Sequence, residues 1–191
     1  MVKKLLIGAG GHGKVVYDLL KSLKINIDQI FDPSHNISSL FNGIDHQIED
    51  SWIKFENDEC ELYIGLGMNP LNKRTEIFKK AIDLSFKVPS IVHPYSYVAK
   101  DSVMLSSGVQ VMAKSVIHPD VTIGDNTVIN TASIIEHDVT VGKNCHIAPG
   151  AVICGGVKIG NDVFIGANST ICPNSIISDN SFIKANSLIK K

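Results

Sequence analysis

From Ile117 to Ile189 an aliphatic residue returns at every sixth position without interruption. A second small or branched residue follows four positions after nearly every one of them. A helix would scatter these positions around its surface, and turn residues such as Gly124-Asp125-Asn126 interrupt the units too often for one flat strand. The pattern therefore predicts a hexapeptide-repeat β-helix, in which three units complete one triangular coil and the aliphatic side chains point inward.

Residues eighteen positions apart are expected to lie above one another at the β-strand spacing of about 4.8 Å. Backbone groups would then pair with the coils above and below, so no repeat is stable alone. The register can be followed back to about Ala99 and weakens around Met104–Ser107. One internal ladder is predicted to contain Ile117, Ile135, Ile153, Ile171 and Ile189.

The first half of the chain has a different pattern. The apolar run Val2–Ile7 predicts a strand that ends at the glycine-rich segment Gly8–Gly13, and an amphipathic helix follows. Further strands are predicted up to Asp32 and over Leu62–Gly67, with a helix over Asn72–Leu84. Alternating strands and helices indicate a small parallel α/β unit of Rossmann-like type.

The chain has 191 residues, which allows one or two domains. We place the boundary near Pro89, with a Rossmann-like domain over residues 1–88 and an all-β, left-handed parallel β-helix over residues 89–191. The net charge of −1 gives no indication of a nucleic acid or an anionic membrane as partner. With no signal peptide and no membrane-spanning apolar run, a cytoplasmic location is expected.

The four cysteines are Cys60, Cys145, Cys154 and Cys172, without the CxxC spacing of many metal sites. Cys154 and Cys172 are eighteen residues apart and should stack on one face of the coil. A disulfide between them is sterically feasible, but in a cytosolic protein two free thiols are the expected state.

The segment Gly8–Gly13 lies where a strand turns into a helix, and such a turn lets phosphate oxygens approach backbone N–H groups. Asp32, at the end of the second strand, is placed to accept hydrogen bonds from a ribose or a base. The alternative is a tight strand–helix turn with no ligand. Because the unit is short for a dinucleotide fold, a mononucleotide or a nucleotide sugar is favoured over NAD.

One coil contains candidate catalytic residues. Ile135 and Val139 occupy inward positions, so Glu136, His137 and Asp138 should lie on the outer side of the turn. A carboxylate that accepts from one imidazole nitrogen leaves the other nitrogen free to take a proton, so His137 and Asp138 can act as a general base. The alternative for His137 is an ordinary solvated histidine in a turn. His118, eighteen residues before Glu136, is expected only to pair with it.

Several motifs, in order along the chain, resemble those of the bacterial sugar O- and N-acyltransferases. This family includes the sialic acid O-acetyltransferases and the UDP-4-amino-sugar N-acetyltransferases. The resemblance covers nearly the whole chain. The motifs are Gly8–Val16, Ile64–Arg74 with Gly67-Met68-Asn69, Ile91–Pro94, Asn130-Thr131 with Glu136-His137-Asp138, and Cys145–Gly150.

The resemblance implies a role for each matching residue. His137 is the catalytic base and Asp138 its acidic partner. His146 lies beside the thioester of acetyl-CoA, which is a co-substrate rather than a permanently bound cofactor, and no metal is implied. Family members are homotrimers with each active site between neighbouring β-helices. The remaining matches are Gly155 and Ala167 for the coenzyme, and Gly10, Gly11, His12, Asp32, Gly67 and Asn130 for the nucleotide sugar.

We therefore expect an acetyl-CoA-dependent acetyltransferase that acts on the amino group of a nucleotide-linked sugar, a UDP-4-amino sugar, in bacterial glycan biosynthesis. Backbone N–H groups near His146 and Gly155 are expected to stabilise the oxyanion. No covalent enzyme intermediate is required, because Cys145 occupies an inward position.

The sequence allows three alternative functions. A sugar O-acetyltransferase of the sialic-acid type would use the same His137–Asp138 pair. A non-catalytic binding or scaffold descendant of the family is the second alternative. A zinc enzyme is disfavoured, because a single coil cannot bring His118, His137 and His146 onto one metal. The family's usual Val-Pro-Ala-Lys tail is missing after the last coil, Lys184–Asn186, which leaves open how CoA is held.

Overall fold

The computed structural model describes residues 2–48, 51–67 and 73–190. The chain forms two compact units, one ending at Pro89 and the other beginning at Ser90. The first is an α/β unit and the second a stack of short parallel strands, which confirms the predicted fold class of a Rossmann-like unit followed by a left-handed parallel β-helix.

The N-terminal unit is built around a parallel sheet. Its strands are β1 (Lys3–Ile7), β2 (Gln29–Phe31), β3 (Asp45–Gln47) and β4 (Cys60–Ile64), in the spatial order β3-β2-β1-β4. Helix α1 (Gly11–Ser22) follows β1, and helix α2 (Lys73–Asp83) follows β4. Single turns of 3₁₀ helix cover Ser39–Phe41, Ser51–Lys54 and Asn57–Glu59.

Some details of this unit differ from the sequence prediction. Strand β3 was not predicted, because its sequence Asp-His-Gln is polar and short. His46 lies in this strand, with its Nε2 3.0 Å from the Asp32 carbonyl oxygen. Strand β4 ends at Ile64 rather than Gly67. Asn72, the predicted start of the second helix, lies outside the described residues.

Three glycines let β1, α1 and the segment after β4 approach one another. A Cβ on either Gly13 or Gly65 would lie 2.3 Å from the carbonyl oxygen of Gly8. Gly8 itself has φ +96°, a conformation that favours glycine. Arg74 is buried, and its Nη1 donates to the carbonyl oxygens of Ile64 and Leu66 at 3.1 and 3.0 Å. These contacts position the glycine-rich loop at the carboxyl ends of the strands.

The C-terminal unit is a triangular coil with three faces, each a stack of two-residue parallel strands. The first face contains β5 (Ile91–Val92), β8 (Gln110–Val111), β11 (Val128–Ile129), β14 (His146–Ile147), β17 (Phe164–Ile165) and β20 (Phe182–Ile183). The second face contains β6 (Tyr97–Val98), β9 (Val116–Ile117), β12 (Ile134–Ile135), β15 (Val152–Ile153), β18 (Thr170–Ile171) and β21 (Leu188–Ile189). The third face contains β7 (Met104–Leu105), β10 (Thr122–Ile123), β13 (Thr140–Val141), β16 (Lys158–Ile159) and β19 (Ile176–Ile177).

The core of the coil follows the six-residue pattern. Ile117, Ile135, Ile153 and Ile171 are fully buried and stack in one ladder, as predicted. The coil begins at Ile91, eight residues before Ala99, where the six-residue register fades in the sequence. Its first turn holds one extra residue, since Tyr97 pairs with Val116 whereas Met104 pairs with Thr122. That insertion explains why the sequence register weakens there.

The corners between faces use left-handed backbone conformations at intervals of eighteen residues. Asn and Asp tolerate this conformation better than other non-glycine residues, and glycine adopts it freely. At the corner between the second and third faces the left-handed residues are Asp120, Asp138, Gly156 and Asn174. The candidate base partner Asp138 is therefore also a corner residue of the fold.

Candidate active site

His137 and Asp138 form a hydrogen-bonded pair at this corner. The His137 Nδ1 lies 2.7 Å from Asp138 Oδ2, and both side chains are about two-thirds exposed, at 65% and 64%. The left-handed conformation of Asp138, φ 60°, turns its carboxylate back toward the preceding imidazole. Because a carboxylate can only accept, Nδ1 carries the proton and Nε2 is free to take another.

The carboxylate also changes the basicity of the imidazole. The hydrogen bond that His137 donates to Asp138 is the main cause that raises the pKa of His137 above its ordinary value, and the charges of Asp138 and Glu136 raise it further. Backbone hydrogen bonds hold the corner on both sides, from Asp138 N–H to Pro119 O at 3.2 Å and from Gly156 N–H to His137 O at 3.0 Å. The base is thus oriented by both its side-chain partner and the adjacent coils.

Gly155, one coil beyond His137, supports the imidazole. A Cβ on Gly155 would lie 2.7 Å from both Cε1 and Nε2 of His137, closer than real contacts allow. Since Gly155 has no positive φ, the need for glycine here comes from the approach of the ring and not from the backbone conformation. The resemblance assigned Gly155 to the coenzyme alone, and its packing against the base was not predicted.

His146 lies on the outer side of the first face but is only 8% exposed. Its ring stacks on Phe164, with centroids 5.3 Å apart, and Phe164 stacks on Phe182 at 5.0 Å. The Asn130 Nδ2 lies 3.3 Å from His146 Nε2. These contacts fix the position of the His146 ring.

The tautomer of His146 follows from Asn130. The Thr131 N–H donates at 2.8 Å to the Asn130 side chain, so the atom it meets must be the amide oxygen. The amide nitrogen of Asn130 therefore faces His146 Nε2, which must accept. Asn130, predicted to contact the sugar, therefore also orients this histidine.

The expected backbone oxyanion donors are only partly available. The His146 N–H donates to Val163 O and the Ala148 N–H to Ile165 O, each at 2.9 Å. The prediction of donors near His146 is therefore wrong for these groups, because the coil already uses them. Among the described backbone hydrogen bonds, none involves the Gly155 N–H, which leaves it as the candidate donor.

His137 and His146 are not brought together within one chain. His137 follows β12 at the corner between the second and third faces, whereas His146 lies in β14 on the first face, with Asn130 at the corner between the first and second faces. The described contacts join His137 to Asp138 and His146 to Asn130 and Phe164, and none of them joins the two histidines. The two groups thus lie at opposite edges of the second face.

His118, Cys145 and Ala167 are the other residues of the coil that the sequence analysis singled out. His118 Nε2 lies 3.8 Å from Glu136 Oε2, which confirms their pairing. Cys145 is fully buried, and burial raises the pKa of its thiol to about 11, which makes it unsuited to act as a nucleophile. Ala167 is half-buried at the corner between the first and second faces, and its carbonyl accepts from Asn186 N–H at 2.9 Å.

A second candidate site lies beside the glycine-rich loop of the N-terminal unit. A cavity of about 190 Å³ is lined there by residues of the loop, the start of α1 and the segment after β2. Asp32 lies between these elements, with Oδ2 accepting from Ala9 N–H at 2.6 Å and Oδ1 from Ser34 N–H at 2.9 Å. Sequence reasoning missed Lys14, Ser34, Asn36, Ile37 and Ser38, which also line it.

Gly10 and Gly11 face open space at this cavity. A Cβ on either residue would meet no atom within 4 Å, and neither has a positive φ. The protein's own packing therefore does not require glycine at these positions. Gly67 instead faces His12, since a Cβ there would lie 3.5 Å from His12 Cβ. Met68 and Asn69, part of the motif that carries the resemblance, lie outside the described residues.

Two further observations concern the described part of the chain. It contains no group of three or more His, Cys, Asp or Glu side chains arranged to hold a metal ion. None of its helices is long and apolar enough to cross a membrane.

Comparison with protein families finds a match in both units. Residues 3–81 match the PglD N-terminal domain, residues 120–154 the hexapeptide repeat of succinyl-transferase, and residues 156–191 the bacterial transferase hexapeptide. No curated protein matches the sequence. The families thus cover the glycine-rich loop and the coil that carries His137.

Solved structures of similar fold include sugar acetyltransferases. PerB from Caulobacter crescentus, in complex with CoA and GDP-perosamine, is 29% identical, with a TM-score of 0.88 over 99% of this chain and 89% of that chain. The acetyltransferase domain of PglB from Neisseria gonorrhoeae is 28% identical, with a TM-score of 0.88 over 100% of this chain and 92% of that chain. WeeI from Acinetobacter baumannii, 17% identical with a TM-score of 0.76 over 98% of this chain and 96% of that chain, shares the fold.

Proposed function

Because the chain is similar in both of its units to the hexapeptide-repeat sugar acyltransferases, we propose that it transfers the acetyl group of acetyl-CoA to the amino group of a nucleotide-linked sugar in bacterial glycan biosynthesis. UDP is the nucleotide that the sequence resemblance implies, with a 4-amino sugar attached. The solved complex of PerB holds GDP-perosamine, so both nucleotides enter the test of this proposal.

The observation that carries the proposal is the His137–Asp138 pair. His137 lies on an exposed corner, and its hydrogen bond to Asp138 orients the imidazole and leaves Nε2 free to take a proton. Gly155 lies against the ring, where a side chain would collide with it. Two structures of the perosamine N-acetyltransferase with one histidine replaced, by asparagine or by alanine, also hold CoA and GDP-perosamine. A histidine has thus been a target of substitution in that enzyme, as we propose here for His137.

The reaction needs no covalent enzyme intermediate. The neutral amine of the sugar attacks the thioester carbonyl, and His137 Nε2 takes a proton from the amine as it becomes tetrahedral. Asp138 stabilises the charged imidazole. The Gly155 N–H is our candidate donor to the oxyanion. When the tetrahedral intermediate collapses, its carbon–sulfur bond breaks, the CoA sulfur takes the proton back from His137 Nε2 and leaves as the thiol, and the sugar nitrogen keeps the acetyl group as an amide.

We assign the nucleotide sugar to the cavity beside the glycine-rich loop. Gly10 and Gly11 line this cavity and have no side chains to fill it, so a ribose or phosphate can approach the backbone closely there. Lys14, one turn into α1, adds a positive charge for a diphosphate. Asp32 keeps a second lone pair on each carboxylate oxygen for a ligand hydroxyl.

Gly11→Val is expected to weaken nucleotide-sugar binding and to leave acetyl-CoA binding unchanged. The Cβ of the new side chain would meet no protein atom within 4 Å, so folding should be preserved. Asp18→Ala, on the exposed side of the same helix, serves as the matched control. Calorimetry with each ligand checks the result. A loss of CoA affinity in Gly11→Val would instead make the loop a coenzyme site.

We also propose that the protein is a homotrimer with its active sites between subunits. The outward row on the second face is aromatic, aliphatic or β-branched along its length, partly exposed in the middle and exposed at both ends, and apolar surface of this kind marks protein interfaces. Its two edges carry the separate groups around His137 and His146. A neighbour packed alongside would let His137 of one subunit approach His146 of the next. The row consists of Tyr97, Val116, Ile134, Val152, Thr170 and Leu188.

Light scattering is expected to give three times the mass of one chain. Val152→Glu, in the middle of the outward row, should dissociate the assembly and abolish turnover together, because charge in an apolar interface is unfavourable. Lys158→Glu on the third face is the control, since that position is already exposed and charged. A monomer with full specific activity would contradict both the assembly and the shared site.

A sugar O-acetyltransferase is the nearest alternative. A screen of nucleotide sugars with acetyl-CoA tests the choice of acceptor, and the free thiol of released CoA is the measured quantity. We expect release with amino-sugar nucleotides and little release with matched nucleotides that carry a hydroxyl in place of the amine. Equal release with the hydroxyl compounds would favour the alternative, and no release with any acceptor would favour a non-catalytic binding protein.

A further inference from the structure

A pair of cysteines adjoins the catalytic corner and takes no part in the proposed reaction. Cys154 directly follows β15 and Cys172 directly follows β18, at equivalent positions of neighbouring coils. Backbone hydrogen bonds bracket the pair, from Cys154 N–H to Ile171 O and from Asn174 N–H to Gly155 O, each at 3.0 Å. The two residues are therefore held in register immediately after a pair of parallel strands.

Parallel strands in register place paired Cα atoms about 4.8 Å apart. Disulfides are formed between Cα atoms roughly 4.4–6.8 Å apart, so this pair satisfies the distance requirement for a bridge. Both residues are half-buried free thiols, whereas Cys60 and Cys145 are buried at 1% and 0% exposure. Reaction with a small reagent is thus confined to Cys154 and Cys172 in the folded chain.

The pair is coupled to the proposed base through one peptide bond. Cys154 is bonded to Gly155, on whose Cα the His137 ring rests with no room for a methyl group. A bridge between directly stacked side chains must draw the two coils together, because Cβ atoms in disulfides lie about 3.8 Å apart. A shift of a few tenths of an ångström at Gly155 would displace the imidazole or the Gly155 N–H.

We propose that Cys154 and Cys172 are a paired-thiol modification site, which low-molecular-weight disulfides close to an internal disulfide that lowers acetyl transfer. One thiolate attacks the small disulfide, forms a mixed disulfide and releases one thiol. The other thiolate displaces the second thiol and forms the Cys154–Cys172 bond. Two electrons and two protons pass to the small disulfide, which leaves as two thiols, and excess thiol reverses the reaction.

The surroundings make this site slower than an ordinary surface thiol. Burial raises the pKa of Cys154, and the neighbouring Cys172 and Glu136 raise it further. Because the thiolate is the reactive form, closure should accelerate as the pH rises. A brief exposure to a small disulfide at neutral pH should leave most of the protein reduced, and a longer one should close the bridge.

Glutathione disulfide is the probe, applied to the full-length protein with intact mass, peptide mapping and acetyl transfer as readouts. The wild type should lose the mass of two hydrogens, link Cys154 to Cys172 and fall in kcat on the order of tenfold, with full recovery after reduction. Neither Cys154→Ser nor Cys172→Ser should form an internal disulfide, and Cys154→Ser, which has no thiol next to Gly155, should keep most of its activity under the same treatment.

Any of three results would overturn the proposal. These are a glutathione adduct that never converts to an internal disulfide, an internal disulfide that involves Cys60 or Cys145, and a Cys154–Cys172 disulfide that leaves kcat unchanged. The effect on activity rests on the proposed acetyl transfer, but the linkage does not. If the reduced protein acetylated no acceptor, the proposed function would fail by itself. The imidazole NMR signals of His137 would then report whether closure displaces the ring, and unchanged signals would refute the coupling.

Discussion

His137→Ala is expected to lower kcat by roughly 10²–10⁴-fold, the usual effect of removing a general base. The KM for the nucleotide sugar should change little, because the proposed sugar site lies in the N-terminal unit. The side chain is 65% exposed and supports no core packing, so the thermal unfolding temperature should stay near that of the wild type. Steady-state kinetics with saturating acetyl-CoA measures the effect, and near wild-type turnover at neutral pH would refute the assignment.

Asp138→Asn separates basicity from position. In the wild type Asp138 raises the pKa of His137, so the neutral, active imidazole is lost as the pH falls through this raised value. Asparagine removes the negative charge and lowers that pKa. The acidic limb of the kcat profile should therefore move to lower pH, with a smaller loss of maximal kcat than in His137→Ala. An acidic limb that stays in place would show that another group, such as the acceptor amine, controls it.

Gly155→Ala is expected to reduce kcat by about 10²-fold, the scale of a misplacement of roughly 1 Å at a reacting group. The added methyl carbon would lie 2.7 Å from both Cε1 and Nε2 of His137, which is too close for atoms that are not bonded. The imidazole must rotate away and lose its alignment with Asp138. Cys154→Ala, at the preceding position, adds no atom beneath the ring and should retain most of the activity.

The two roles of Gly155 can be distinguished by experiment. If it acts by supporting the base, Gly155→Ala will change the imidazole NMR signals of His137 in the free protein and leave CoA affinity nearly intact. If it acts only through the coenzyme, CoA affinity will fall and the imidazole signals will not move. The second result would contradict our account of this glycine.

The coil was predictable because each inward side chain repeats after six residues and each ladder after eighteen. Because Ile135 and Val139 point into the coil, the sequence also indicated that Glu136, His137 and Asp138 lie on its outer surface. The eighteen-residue spacing also places Gly155 above His137, although the consequence for the imidazole depends on a distance that only the structure supplies.

Other features had no periodic signal in the sequence. Strand β3 is polar and three residues long, and it forms by pairing with β2. The segment Ser34–Ser38 lines the cavity beside the glycine-rich loop through irregular backbone, which no pattern describes. The hydrogen bond between Asn130 and His146 joins residues sixteen apart on adjacent coils, so it depends on side-chain geometry rather than on the repeat.

The central claim is that His137 serves the acetylation of an amine on a nucleotide-linked sugar. The most direct test is NMR and mass analysis of the product formed from acetyl-CoA and a nucleotide-linked amino sugar by the wild type, with His137→Ala beside it. We predict one acetyl group in amide linkage at the sugar nitrogen, formed together with an equal amount of free CoA, and almost none with His137→Ala. An acetyl ester on a sugar hydroxyl, or equal product from both proteins, would contradict the account.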